Sequence, residues 1–322
     1  EMCIRDRGMT MRNSLATDLD IIAGKEAYDK EVKTLLANRQ ILAIILKALV
    51  NEFKYMEINE IIACIEILEV GERKVHPGQS NEKIYGKANE NNIIGEGTVT
   101  FDIIFDVYIP MKDDMVKMII NIEAQRENNP GYELVTRGIY YTAREISFQY
   151  SREFINSEYN NIKKVYSIWI CVSPDKKRMN GITEYFIKEK TVYHNTKVSK
   201  EVYDKLCVVM IYLKKDLDEE SEYIIDFLSV LLSEKIDYDR KTHILEKDLG
   251  LTMTEEMKEE VNTMCNLSEH VYESGVQNGI EKGIKTGIKT AIKRMLTKLS
   301  VDEIVELGYE KQLVMSIAED RN

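Results

Sequence analysis

The chain predicts a mixed α/β fold in which helices flank a central sheet. Two adjoining segments, Phe101–Ile109 and Met118–Gln125, read as strands joined by the charged turn Pro110-Met111-Lys112-Asp113-Asp114. Amphipathic helices precede and follow them, at Ala27–Val50 and Tyr132–Phe154. Two short apolar runs, Val165–Val172 and Leu206–Leu213, have the length and composition of buried strands.

In chain order, Glu1–Gly8 reads as a non-native extension, with Met9 or Met11 as the natural initiator. Residues 9–92 form a helical segment and loop that pack on the core. Its first helix places Val32, Leu35, Leu36, Leu42, Ile45, Leu46 and Leu49 near helical spacing. A second helix is expected over Ile58–Leu68, then a polar loop over Gly71–Asn92 containing Pro77-Gly78. Residues 93–215 make the core. Its first strand alternates: Phe101, Ile103, Phe105, Val107 and Ile109 point one way, and Asp102, Ile104, Asp106 and Tyr108 the other. Its second strand is nearly all apolar until Glu123 and Gln125, which share a face. Arg126–Gly131 turns the chain into a helix with the apolar stripe Val135, Ile139, Ile146 and Tyr150. Arg137, Tyr141, Arg144 and Phe148 lie on another of its faces. Ile182–Tyr193 alternates as an edge strand would.

Residues 216–274 read as an acidic helical region, with helices at Glu219–Lys235, Thr242–Leu249 and Thr254–Ser274. Residues 275–322 begin with a tandem pattern in which Gly275, Gly279, Gly283 and Gly287 recur every four positions, shadowed by Ile280, Ile284, Ile288 and Ile292. Each glycine costs a helix about 1 kcal/mol relative to alanine, so the segment is marginal alone. Self-association through this helix is the favoured reading; a DNA-facing basic helix and a flexible tether stay open. Ser300, with Glu303 three residues on, starts the last two short helices, a packing hairpin in preference to a helix-turn-helix.

Composition narrows the function classes. The net charge of −11 argues against a simple polyanion binder, but the charge is unevenly spread. Asp216–Glu260 holds 15 acidic and 5 basic residues, whereas Arg137–Lys205 holds 13 basic and 8 acidic. A basic region therefore follows the strand pair, and the acid sits elsewhere. The five cysteines are scattered without a CxxC pair and read as reduced, mostly buried thiols. They and the four histidines make a structural zinc site unexpected. No apolar run is long enough for a membrane span and no signal peptide is evident, so a cytoplasmic protein without membrane partners is expected.

The strand pair carries the chemistry. A hard divalent cation needs oxygen ligands from rigid neighbours, and phosphodiester hydrolysis needs charge neutralised at phosphorus and a water activated. Asp102 or Asp106 on the first strand, with Glu123 and Gln125 on the second, supply such a set. The bland alternative makes these residues the wet face of an edge hairpin, and Arg137, Tyr141 and Arg144 a solvated helix face.

An Asp, then Glu-x-Gln at the end of an apolar strand, then a helix carrying Arg and paired Tyr resembles the PD-(D/E)XK nuclease superfamily. The text EGTVTFD…IINIEAQ…NPGYELVTRGIYYTAREIS is similar to its recombination-promoting nuclease/putative transposase family, as are the Gly-Ile-Lys repeats. The closest likeness covers Gly95–Phe154. The resemblance implies a restriction-endonuclease-like core and a Mg²⁺- or Mn²⁺-dependent endonuclease acting on double-stranded DNA in recombination or mobile-element movement. It implies Asp102 or Asp106 as one metal ligand, Asp102 matching the family text better, and Glu123 as the second. It adds the backbone carbonyl of Ala124 and Glu96 as further ligands, and Arg137, Tyr141 and Arg144 as DNA contacts. Gln125 stands where the superfamily usually has Lys. Lys can stabilise charge in the transition state and Gln can only hydrogen-bond, so another cation, Arg137 or Arg144, has to substitute. The alternative is a catalytically weak or inactive DNA-binding or self-associating protein that keeps the fold.

Overall fold

The computed structural model describes residues 26–65, 90–93, 97–100, 102–110, 115–125, 130–194 and 196–319. The chain divides into two compact units, Asp29–Cys265 and the remainder. The expectations for Glu1–Gly8, for most of the 71–92 loop, for the 111–114 turn and for residues 126–129 lie outside the described residues.

The unit Asp29–Cys265 is α/β, with a five-stranded mixed sheet flanked by helices. The long N-terminal helix expected over Ala27–Val50 is two helices, α1 (residues 26–36) and α2 (Arg39–Leu49). Asn38 makes the break: its backbone is extended and its Oδ1 accepts a hydrogen bond from the Gln40 N–H at 2.9 Å, a side-chain N-cap that restarts the helix. After α3 (Ile58–Cys64) comes a small antiparallel hairpin of β1 (Glu90–Ile93) and β2 (Gly97–Thr100), so the end of the expected loop is strand.

The main sheet has the order β3-β4-β5-β7-β6, built from β3 (Ile103–Pro110), β4 (Met115–Gln125), β5 (Lys164–Cys171), β6 (Gly181–Phe186) and β7 (Leu206–Tyr212). β3 and β4 are antiparallel, β4, β5 and β7 are parallel neighbours, and β6 closes the far edge antiparallel to β7. The helix α4 (Leu134–Phe148) crosses from β4 to β5, as a parallel pair requires. A four-residue helix, α5 (Lys200–Tyr203), precedes β7.

Residues paired across neighbouring strands share a face. One face carries Ile104, Ile119 and Val165, then Trp169, Val208 and Met210, and packs under Leu134, Tyr141 and Ile146 of α4. The other buries Phe105, Val107, Ile120, Ile168 and Val209. β5 and β7 thus read as continuous apolar runs because both faces are covered. At the C-terminal end of α4, Gln149 clamps the chain entering β5: its Nε2 donates to the Lys163 carbonyl at 3.0 Å and its Oε1 accepts the Lys163 N–H at 2.7 Å.

The acidic region folds as α6 (Tyr223–Leu231), α7 (Tyr238–His243) and one π-helical turn over Ile244–Asp248. The buried Lys241 donates to the carbonyls of Leu231 and Ser233 at 3.2 and 2.7 Å, placing a cation on the C-terminal end of α6. The helix expected over Thr254–Ser274 and the repeat segment are one helix, α8 (Glu255–Met295). In the second unit the end of α8 packs with α9 (Val301–Glu306) and α10 (Lys311–Glu319) through Ile292, Ile304, Val314 and Ile317. Ser300 and Glu303 form the expected capping box. Among the described residues no helix is long and apolar enough to cross a membrane.

Candidate functional site

The register Ile103↔Ile122 sets Asp102, one residue before β3, across from Glu123. The two residues interlock. The Asp102 N–H donates to Glu123 Oε1 at 3.2 Å, and the Ala124 N–H donates to Asp102 Oδ2 at 3.1 Å. The second Asp102 oxygen, Oδ1, lies 2.6 Å from Lys33 Nζ, which α1 delivers from 69 residues upstream.

Glu123 is 5 % exposed. Burial, and next the negative charge of Asp102, push its carboxyl well above the ordinary carboxylate range; the Asp102 N–H, the Arg137 charge and Asn121 pull the other way without cancelling this. Beneath it the Asn121 amide donates to Ser167 Oγ at 3.0 Å, and Trp169 Nε1 donates to the same hydroxyl at 2.8 Å. Arg137 covers this floor. Its guanidinium lies 5.4 Å from the centre of the Trp169 ring and donates to the hydroxyls of Tyr132 (2.9 Å) and Tyr141 (2.7 Å). Tyr141 meets Trp169 edge-on with centroids 5.6 Å apart. Gln125 ends β4 on the Glu123 face, and its carbonyl accepts the Val172 N–H at 3.0 Å.

The structure separates the two aspartates that the sequence left as rivals. Asp106 pairs with Ile119, four residues along β4 from Glu123, which is about 13 Å at strand rise. Its Oδ2 is 2.9 Å from Lys117 Nζ, which also binds Glu153 at 2.5 Å. Asp106 is therefore the buried end of an ion-paired triad and does not join Glu123. Arg144, expected on an open face, is 3 % exposed and donates to the Tyr140 hydroxyl at 3.2 Å. That burial removes it as a surface contact for phosphate. The carbonyl role expected for Ala124 is joined by a definite one for its N–H, which fixes Asp102. Glu96 lies outside the described residues.

Lys33, Asn121 and Ser167 are the members that sequence reasoning missed. Lys33 carries no local signal, being one charge on the polar side of an amphipathic helix. Asn121 had one, as the first polar residue inside an otherwise apolar strand.

Among the described residues no group of three or more His, Cys, Asp or Glu gathers as a metal cluster. Asp102 and Glu123 form a pair. Glu123 resists ionisation first because it is buried and next because Asp102 lies beside it, and one or two carboxylates are the protein donors that Mg²⁺ commonly takes. No family model, curated protein or solved structure matches this chain.

Proposed function

We propose that this chain is a metal-dependent DNA endonuclease with a PD-(D/E)XK-type core, acting on double-stranded DNA in recombination or transposition. The observation that carries the reading is the interlocked pair of Asp102 and Glu123 at adjoining strand ends, with Glu123 held against ionisation. The order of parts agrees: Asp one residue before β3, Glu-x-Gln closing β4, then α4 and a parallel strand.

Asp102 and Glu123 would hold Mg²⁺ or Mn²⁺, which supplies Lewis-acid charge at the phosphate when bound. The Ala124 N–H orients Asp102, and Asn121 orients Glu123. Arg137, fixed by two tyrosine hydroxyls, adds positive charge beside the carboxylates. In the reaction a water oxygen bonds to phosphorus, the bond from phosphorus to the leaving sugar oxygen breaks, and the water proton is passed on as that oxygen is protonated. The strand ends next to Gln125 support a polyanionic substrate. Val172 and Leu213 open there into a cavity of about 580 Å³ whose lining includes Lys215, Lys235 and Arg240, all exposed, beside Glu234. The same reading has the chain working in the cytoplasm, with copies associating through α8, where Val276, Ile280 and Ile284 are exposed.

Nicking of supercoiled plasmid tests it. We expect nicking that needs Mg²⁺ or Mn²⁺, is lost in Glu123→Ala and Asp102→Ala, and survives in folded Asp106→Ala. A second reading, DNA binding without cleavage, draws on the ion pair between Lys33 and Asp102 and on the uncharged Gln125. Plasmid that stays supercoiled while duplex DNA is retained would decide for it.

A further inference from the structure

The cations of the β3–β4 pair and the helices beside it differ in how free they are to serve a substrate. Arg144 is enclosed. Arg137 is half-buried and committed to two hydroxyls. Lys117 is spent on Asp106 and Glu153. Lys33 is different: its side chain is 46 % exposed, and its ammonium sits on a four-carbon stem against Asp102 Oδ1. Burial opposes its charged form, but Asp102, Glu123 and Asp29 together outweigh this and raise its pKa. Asp102 would stay fixed without it, because the Ala124 N–H holds the other oxygen.

We propose that Lys33 supplies the positive charge that Gln125 lacks: it holds Asp102 in the ligand-free site, would release that oxygen where Asp102 holds a divalent cation, and would then be free to pair with the phosphate being cleaved. This rests on the nuclease reading above. No bond to Lys33 forms or breaks; its charge balances the charge gathering on the phosphoryl oxygens. The ammonium and the divalent cation compete for one carboxylate, so Lys33 weakens metal binding while strengthening catalysis. A merely structural ion pair would not give those two effects opposite signs.

The experiment compares full-length wild type, Lys33→Gln and Lys33→Arg in two assays, Mn²⁺ titration by calorimetry without DNA and plasmid nicking. For Lys33→Gln we expect Mn²⁺ affinity to rise about fivefold, the size of losing a half-exposed competing ion pair, and nicking to fall about 100-fold or more. Lys33→Arg should recover most of the nicking. Unchanged or weaker Mn²⁺ binding in Lys33→Gln overturns the proposal, as does wild-type nicking in that variant. Because Lys33→Arg keeps the charge and the helix, a Lys33→Gln chain that does not fold still leaves a test: an arginine variant as inactive as Glu123→Ala overturns the assignment. Wild type that binds Mn²⁺ but does not nick instead retracts the nuclease reading and this role with it.

Discussion

Asp106 and Lys117 show how a charge can sit in this sheet without serving a ligand. Both are largely enclosed, and the second carboxylate, Glu153, closes the group and holds Lys117 firmly in its charged form. The buried thiols behave differently, because nothing favours their ionised form enough to offset burial. Desolvation pushes both Cys171 and Cys207 up to about 12, with Glu184 adding to the effect at Cys207 and Arg178 opposing it at Cys171. An unfolded thiol titrates near 9.0, so between there and 12 the folded chain keeps protons that the unfolded chain has lost. The stability linked to these thiols is therefore fully present below pH 9.0 and lost as pH rises toward 12. Lys241 works in the opposite sense, since burial lowers its pKa, so the thiols must be isolated by difference. We expect the urea midpoint of wild type to exceed that of Cys171→Ala/Cys207→Ala by more at about pH 7 than at about pH 10.5. A gap that stays constant would mean that the thiols ionise equally in both states.

At the scale of elements, α4 decides how the site is roofed. The spacing of apolar residues picks out Val135, Ile139, Ile146 and Tyr150 as the inward stripe, yet Ile139 and Tyr150 face solvent and the helix buries Gly138, Thr142, Arg144 and Glu145. The helix covers apolar strands and the polar Asn121–Ser167 floor together, so its inward face mixes Leu134, Tyr141 and Ile146 with these buried polar residues, and a hydrophobic pattern cannot report that mixture. Gly138 sets the depth of contact. A Cβ there would stand 2.8 Å from Val208 Cγ1 and 3.0 Å from Trp169 Nε1. Neither neighbour can yield cheaply, because Val208 is β-branched and buried and the indole is tied to Ser167. Gly138→Ala should therefore destabilise by about 1–2 kcal/mol despite the better helix propensity of alanine; denaturant unfolding measures it, and a gain in stability would contradict the packing described. The strand pair, the two buried parallel strands and the Ser300 cap were legible, since alternation, apolar runs and capping residues are local signals. The helix break at Asn38 and the arrival of Lys33 at Asp102 were not. The first depends on one side chain outbidding a continuous apolar pattern, the second on a contact spanning 69 residues.

Over the whole molecule, charge and topology meet at the carboxyl ends of β4, β5 and β7, the edge where open α/β sheets take their ligands. Lys214 is consumed internally, by Asp226 and by the carbonyls of Leu217 and Glu219, and this folds the start of the acidic region back onto the sheet. Lys215, Lys235 and Arg240 stay exposed around the cavity. If this edge carries DNA, Lys215→Glu/Lys235→Glu/Arg240→Glu should weaken duplex binding and reduce the slope of log affinity against log salt by about 2.7, one counterion's worth for each lost contact. Fluorescence anisotropy across a salt series reads both; an unchanged slope would send the DNA elsewhere. The uneven chain also has an uneven hold on its own backbone. Around Gly279, Gly283 and Gly287 nothing among the described residues, apart from the helix's own backbone, lies within 4 Å of where a side chain would begin. The close approach for which such glycines are usually kept is absent within the described fold, while their cost of about 1 kcal/mol each remains. In the unassociated chain, helical amides in this stretch of α8 should therefore exchange with solvent deuterium long before those of β5 and β7, and alanine at all three positions should slow that exchange. The middle of the longest helix is thus the first part of it to open.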